Sequence, residues 1–171
     1  SVDTAATRIL HSLTGLTDVY MEQLSCFGAV KRDPVERTIS IAHYALINIQ
    51  DHNDEISKDY GAKWFEIENI PKLIFDHREM VDEAIARLRY QATIAPIGFE
   101  LLPKKFTMRD LQKLYEAILG VKIDKRNFIK KVNAMNLLVK LEEKDKSSSK
   151  KGSYLYKFNK EKFKKMRAIT F

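Results

Sequence analysis

The chain offers few covalent or catalytic handles. Cys26 is its only cysteine, so no intrachain disulfide can form, which fits a reducing, cytoplasmic setting. No apolar run approaches membrane-spanning length, and the first residues have no signal-peptide pattern. A phosphate-cradling G-x-x-x-x-G-K-[ST] loop and a G-x-S-x-G nucleophile elbow are both missing. His11, His43, His52 and His77 show neither H-x-x-x-H spacing nor a partnering cysteine pair. The "DHND" run at 51–54 lacks the calcium-loop pattern and reads as a turn. No metal and no cofactor is therefore expected. With few catalytic groups to place, Cys26, Trp64 and Phe65 are assigned to packing.

Charge is what the chain has, and it is unevenly divided. Residues 1–95 carry 10 Lys+Arg against 15 Asp+Glu, a net of −5. Residues 96–171 carry 20 against 8, a net of +12, which brings the chain to +7. An acidic first half and a strongly basic second half predict two modules, the second facing a polyanion. Pro96, Gly98 and Pro103, set in "TIAPIGFELLP", predict a linker between them. The division is placed at 1–93 and 94–171.

In the first module, Ala5, Ala6, Ile9, Leu10 and Leu13 form an apolar stripe at helical spacing. The helix should run over residues 3–13, capped by Asp3 and stopped by Gly15. "VYMEQLSCFGAV" and "RTISIAHYALINI" are rich in β-branched and aromatic residues and predict strands. The second is apolar on both sides of His43 and should be covered on both faces. "RDPVER" is the turn between them, "DHNDEISKDYG" a loop, and "AKWFEI" a further short strand. A helix over residues 78–91 should turn Met80, Val81, Ala84, Ile85 and Leu88 inward.

The second module follows tighter local rules. Thr107 is an N-cap with Asp110 three residues on, a weaker relative of the capping box. Leu111, Leu114, Tyr115 and Ile118 recur at i, i+3, i+4 and i+7. Gly120 suits a left-handed helix end, and Asp124 caps a second helix to about residue 136. Two helices across so short a turn predict a helix-turn-helix. "LLVKLEE" and "SYLYKF", around the basic loop "KDKSSSKKG", add the two-stranded ribbon of a winged helix. On the second helix Phe128, Ile129, Val132 and Met135 share one arc and should face the core. The opposite arc holds Arg126, Asn127, Lys130, Lys131, Asn133 and Ala134, with no carboxylate. A merely solvated face usually mixes signs, because Glu/Lys pairs support a helix. Arg and Asn pair bidentately with guanine and adenine edges, and lysines suit phosphates. The expected DNA contacts are Arg126, Asn127 and Asn133 to bases. Lys130, Lys131, the wing residues Lys150 and Lys151, and Lys104, Lys105 and Thr107 at the first helix's entry are expected at phosphates.

"PIGFELLPKKFTMRDLQKLYEAILGVKIDKRNFIKKV", residues 96–132, resembles the C-terminal winged helix of the bacterial Nudix-related transcriptional regulators. That family shares a Pro-Ile-x-Phe-x-Leu-Leu-Pro entry, a Phe-Thr-Leu-x-x-Leu-Gln-x-Leu-Tyr-Glu helix and an Asp-Lys-Arg-Asn-Phe recognition segment. Met108 replaces the usual Leu. The likeness extends through "TGLTDVYMEQL", "RDPVERTISIAHYALI" and "PKLIFDH". It implies an α+β chain: a Nudix-like α/β/α sandwich, then a winged helix-turn-helix.

The Nudix hydrolase signature ends in Arg-Glu-Leu-x-Glu-Glu-x-Gly-Leu. Laid on "RILHSLTGL", it matches at Arg8, Leu10, Gly15 and Leu16, while its three glutamates fall on Ile9, Ser12 and Leu13. Those carboxylates gather the catalytic cations in the enzymes, so this chain is expected not to be one. The earlier part of the signature would fall before Ser1, so about the first third of a Nudix domain is expected to be absent. The resemblance further implies a homodimer on double-stranded, palindromic operator DNA, acting as a repressor of sugar catabolism genes. A pentose such as arabinose is the expected effector, and ADP-ribose in control of NAD metabolism the alternative. Asp33, Arg37 and His43 are the candidate effector contacts. The rival readings are a Nudix hydrolase with an accessory nucleic-acid-binding domain, and an RNA-binding or architectural protein.

Overall fold

The computed structural model describes residues 1–49, 52, 61–95, 97–147 and 151–169. They form two compact units, 1–91 and 92–171, each with its own packing.

The first unit begins with helix α1, Val2–Thr14. Its N-cap is Ser1, whose hydroxyl accepts the Thr4 N–H at 3.2 Å, rather than the expected Asp3. Asp3 instead sits in the first turn, where a negative charge opposes the helix dipole. Gly15 ends α1 at φ 77°, as its position predicts. Strands β1, Glu22–Phe27, and β2, Ser40–Tyr44, pair antiparallel, with a bulge between Gln23 and Cys26. Helix α2 is His77–Ile94, and Met80, Val81, Ala84, Ile85 and Leu88 are all half-buried.

Several expectations for this unit need correction. The stripe on α1 is not closed over: Ile9 and Leu13 are 50% and 59% exposed. Strand β2 is shorter than its apolar run and has no buried residue, with Ile41 40% exposed. "AKWFEI" is not a strand. Residues 62–66 are irregular and lead into a 3-10 turn at Ile67–Asn69, leaving Trp64 and Phe65 exposed rather than in a core. The bulge in β1 leaves Cys26 exposed, against its assignment to packing. The "DHNDEISKDYG" loop lies almost wholly outside the described residues. The buried centre here is unusually polar. Arg32, 9% exposed, makes a two-pronged pair with Asp76, Nε to Oδ2 at 2.6 Å and Nη2 to Oδ1 at 2.8 Å. Its Nη1 donates to Ser40 Oγ at 3.0 Å, tying the turn and β2 to the start of α2. The Arg32 guanidinium holds the Asp76 carboxyl below its ordinary pKa.

The second unit follows the order 3-10 turn, β3, α3, α4, β4, β5, α5. Strand β3 is Phe106–Thr107, α3 Met108–Leu119, α4 Lys125–Met135, β4 Leu138–Asp145, β5 Ser153–Phe158 and α5 Lys160–Ile169. The sheet runs β3-β5-β4, antiparallel throughout. Helix α3 packs on β3, β5 and α4, with Leu111 fully buried. No helix among the described residues is long and apolar enough to cross a membrane.

The expected linker is partly core. Phe99, in the 3-10 turn Phe99–Leu101, stacks on Phe158 at 4.0 Å between ring centroids. Gly98 permits this: its φ is 78°, and a Cβ there would press on Ile118 and Leu114 at 3.4 Å. Strand β3 and helix α5 add to the elements that the sequence pattern predicts. The sequence signal for α5 is Asn159, whose Oδ1 accepts the Lys162 N–H at 2.9 Å.

Candidate nucleic-acid interface

The interface is built from the α3–turn–α4 segment outward. Thr107 and Asp110 form a complete capping box: the Asp110 N–H donates to Thr107 Oγ1 at 3.2 Å and the Thr107 N–H to Asp110 Oδ2 at 2.9 Å. Gly120 closes α3 in the left-handed region, its N–H donating to Glu116 O at 2.9 Å. Asp124 then caps α4, accepting the Asn127 N–H at 2.9 Å. These local devices leave the two helices one short turn apart.

Packing fixes which face of α4 turns outward. Phe128 and Val132 are each 5% exposed, and the Phe128 ring lies 5.6 Å from that of Tyr115 on α3. Met135 is the exception on the inward arc: at the last helical residue it is 40% exposed, because Asn136 already turns left-handed at φ 53°. Arg126, Asn127, Lys130, Lys131, Asn133 and Ala134 are all exposed. The outward arc of α4 is therefore an accessible surface of three cations and two amides.

The flanking cations differ in availability. Lys104 is exposed. Lys105 is held by Glu143, with Nζ 2.7 and 2.6 Å from the two carboxylate oxygens, and that contact lowers the Glu143 pKa. Thr107 is 4% exposed and its hydroxyl donates to Asp110 Oδ2, so capping removes it from the surface expected for it. In the wing, Lys151 is exposed and Lys150 lies outside the described residues. Asp145 starts the wing loop by accepting the Ser147 N–H at 2.8 Å, which lowers its pKa. Gly152 returns the chain at φ 71°, where a Cβ would meet Asp145 O at 3.1 Å.

Other basic residues gather here that the helical wheel of α4 alone does not reveal. Arg109, Lys113, Lys122 and Lys125 line a cleft of about 650 Å³ between α3, the turn and β5, together with Tyr154 and Tyr156. Lys140 and Lys144 on β4 lie over the Tyr154 ring, 3.6 and 4.6 Å from its centroid. Positions 109 and 113 share one face of α3, so this part of the signal was present in the sequence.

Of the candidate effector contacts in the first unit, His43 lines a crevice. The crevice holds about 260 Å³ between α1 and the hairpin, walled by Ile9, Leu10, Leu13, Met21 and Ile41. The His43 side chain is 9% exposed, with Nδ1 3.2 Å from Ile41 O. The tautomer that donates there leaves Nε2 a bare acceptor, and Nε2 has no hydrogen-bond partner. Asp3 Oδ1 lies 3.7 Å away. Asp33 instead organises its turn, accepting the Val35 N–H at 2.9 Å and the Thr38 hydroxyl at 3.0 Å. The Val35 amide leads the effects that lower its pKa. Arg37 is exposed and donates to Ala29 O at 3.3 Å.

Comparison with known proteins agrees with this architecture. Residues 98–158 match the family model of the NrtR DNA-binding winged helix domain. The ADPR responsive transcriptional repressor NtrR of Acinetobacter baylyi is 32% identical over 157 residues, covering 90% of this chain; the chain spans 62% of that relative's length. Shewanella oneidensis NrtR complexed with a 27mer DNA superposes with a TM-score of 0.76 at 25% identity, covering 96% of this chain and 75% of that one. A second crystal structure of Shewanella oneidensis NrtR gives 0.72 at 26% identity, covering 92% and 73%. A MutT/nudix family protein of Enterococcus faecalis gives 0.61 at 20% identity, covering 92% and 70%, a likeness of fold. Residues 98–158 thus belong to the NrtR winged helix domain family, and the chain as a whole is similar to NrtR-type Nudix-related transcriptional regulators.

Proposed function

We propose that this chain is a DNA-binding transcriptional repressor, in which the segment 94–171 binds double-stranded operator DNA and the segment 1–93 responds to a small molecule. The observation that carries this reading is the outward face of α4. It presents Arg126, Asn127, Lys130, Lys131 and Asn133 without a carboxylate, beyond a fully capped short turn. Such a face supplies base-edge readers and phosphate ligands on one helix. A pair of these helices, one from each copy of a homodimer, would meet successive major grooves of a palindromic site.

ADP-ribose is the preferred effector, ahead of arabinose or another pentose, because the Acinetobacter relative is described as ADPR responsive. The test begins with selection of duplexes from a random library. Binding to the selected operator and to a scrambled duplex is then titrated with ADP-ribose and with arabinose. ADP-ribose should weaken operator binding and raise the melting temperature, as linkage requires of a ligand that favours the weakly binding state. Arabinose should do neither. Equal affinity for selected and scrambled duplexes would end the operator reading. A response to arabinose alone would return the effector to the pentoses.

A further inference from the structure

The turn that joins α3 to α4 is clamped from the side by two residues of α3. The Glu116 carboxylate, 16% exposed, accepts the backbone N–H of Ile123 through Oε1 at 3.0 Å. Gln112 Nε2, one helical turn earlier, donates to the carbonyl oxygen of the same Ile123 at 3.0 Å. It also donates to Glu116 Oε1 at 3.2 Å, which closes a ring of three hydrogen bonds. Both polar groups of one backbone residue are therefore satisfied by side chains. That residue immediately precedes Asp124, the N-cap of α4. Glu116 also holds the other end of the turn, since its backbone oxygen accepts the Gly120 N–H. Lys122 Nζ stands 3.5 Å from its Oε2. The Ile123 amide, then Gln112 and Lys122, lower the Glu116 pKa, so the acceptor stays ionised at neutral pH.

The capping box and the buried Phe128 already account for the existence of the two helices. They do not fix the direction in which the first turn of α4 leaves the turn segment. A ring of hydrogen bonds on Ile123 does, because a displaced Ile123 would leave a half-buried carboxylate and amide unmatched. From this we infer that Gln112 and Glu116 are positioning residues that set the entry angle of α4. Through that angle they set the placement of Arg126 and Asn127 on bases. The inference rests on the DNA-binding reading above and adds to it two residues that never touch a base.

The test uses the full chain with Glu116→Ala, Gln112→Ala, the conservative Glu116→Gln, and Lys113→Ala as a neighbouring control in the same cleft. Operator and scrambled-duplex affinities are measured for each, with amide hydrogen exchange at Ile123 and Phe128. Glu116→Ala should lower operator affinity about tenfold while leaving scrambled-duplex affinity nearly unchanged. Ile123 should lose protection while Phe128, bonded to the Asp124 carbonyl oxygen at 2.9 Å, keeps it. Gln112→Ala should do the same more weakly. Glu116→Gln, which keeps an acceptor for the Ile123 amide, should restore most of the preference. Lys113→Ala should leave the ratio of the two affinities unchanged. Loss of Ile123 protection with an unchanged ratio would overturn the positioning role. So would an equal loss on both duplexes, or a Glu116→Gln protein no better than Glu116→Ala. A wild-type chain that prefers no duplex would remove the operator reading and the positioning role with it. Ile123 protection, measured without DNA, would then show whether the clamp itself exists.

Discussion

Arg126 and Phe128 are two residues apart on α4 and point opposite ways, so truncating each should break a different property. Phe128 is 5% exposed and sits 5.6 Å from the Tyr115 ring. Removing a buried Phe side chain costs about 3–5 kcal/mol. In a unit the size of residues 92–171, each kcal/mol lowers the melting temperature by roughly 4–8 °C. Phe128→Ala should therefore melt roughly 12–40 °C lower, and it is best studied in the cold. Arg126 is exposed, so Arg126→Ala should change stability by no more than about 0.5 kcal/mol. Its loss should instead fall on the operator, at about 1–3 kcal/mol for a bidentate base contact. That corresponds to about 5- to 150-fold in affinity, with scrambled DNA much less affected. Lys151→Ala, in the wing, is the third arm. It should weaken both duplexes alike and reduce the salt dependence by about one unit of slope. Fluorescence anisotropy on both duplexes across a salt series, with thermal melts followed by circular dichroism, separates the three. If Arg126→Ala leaves the operator-to-scrambled ratio unchanged, the outward face of α4 is a basic coat and the reasoning from its composition fails.

Two further outcomes follow from the first unit. The Arg32 guanidinium depresses the Asp76 pKa, so this pair contributes stability above the ordinary carboxylate range and loses it as pH falls through the lowered value. Arg32→Ala should be less stable at neutral pH and should lose less additional stability on acidification; unchanged acid melting curves would contradict the sign. The second outcome is catalytic. If Ile9, Ser12 and Leu13 stand at the signature's glutamate positions, as the resemblance implies, Mg²⁺ or Mn²⁺ should support no turnover of ADP-ribose. Metal-dependent release of nucleotide products at an enzyme-like rate would overturn that.

The second unit was the more legible because its rules are short-range. Thr107 with Asp110, Gly120, and Asp124 each act within a few residues, and each stands where its residue type predicts. What escaped were pairings across the chain. Phe99 lies in a stretch whose Pro and Gly mark a linker, yet its ring is stacked on Phe158, 59 positions later. Lys105 reads as a free phosphate ligand because the sequence shows an amine and not the Glu143 that takes it up. Thr107 reads both as a phosphate ligand and as the cap partner of Asp110, and the cap takes its hydroxyl. The Gln112–Glu116 ring was hidden for the same reason: its partner is a backbone group in the turn.

In the first unit, periodicity identified a helix but could not supply its covering. Of the buried apolar residues described, only Leu16 and Leu24 belong to residues 1–91. The stripe on α1 instead forms a wall of the crevice that holds His43. Ile9 and Leu13 stand on that wall, and the resemblance to the Nudix signature would place both at glutamate positions. Carboxylates there would draw cations to the mouth of the crevice, and cations would in turn hold a diphosphate. Aliphatic side chains do neither, and they offer apolar surface to whatever enters. Among the buried side-chain polar atoms of the described residues, the one with an unmet bond is His43 Nε2, which in the tautomer donating to Ile41 is an acceptor. A ligand entering here would place an apolar portion against Ile9, Leu13 and Ile41. Any diphosphate it carried would be better met by cationic or neutral groups elsewhere, because the aliphatic side chains of this wall offer it no hydrogen bond and no charge. If Ile9 and Leu13 do replace signature glutamates, the exchange that would remove a metal site would also change which end of a nucleotide this crevice could hold.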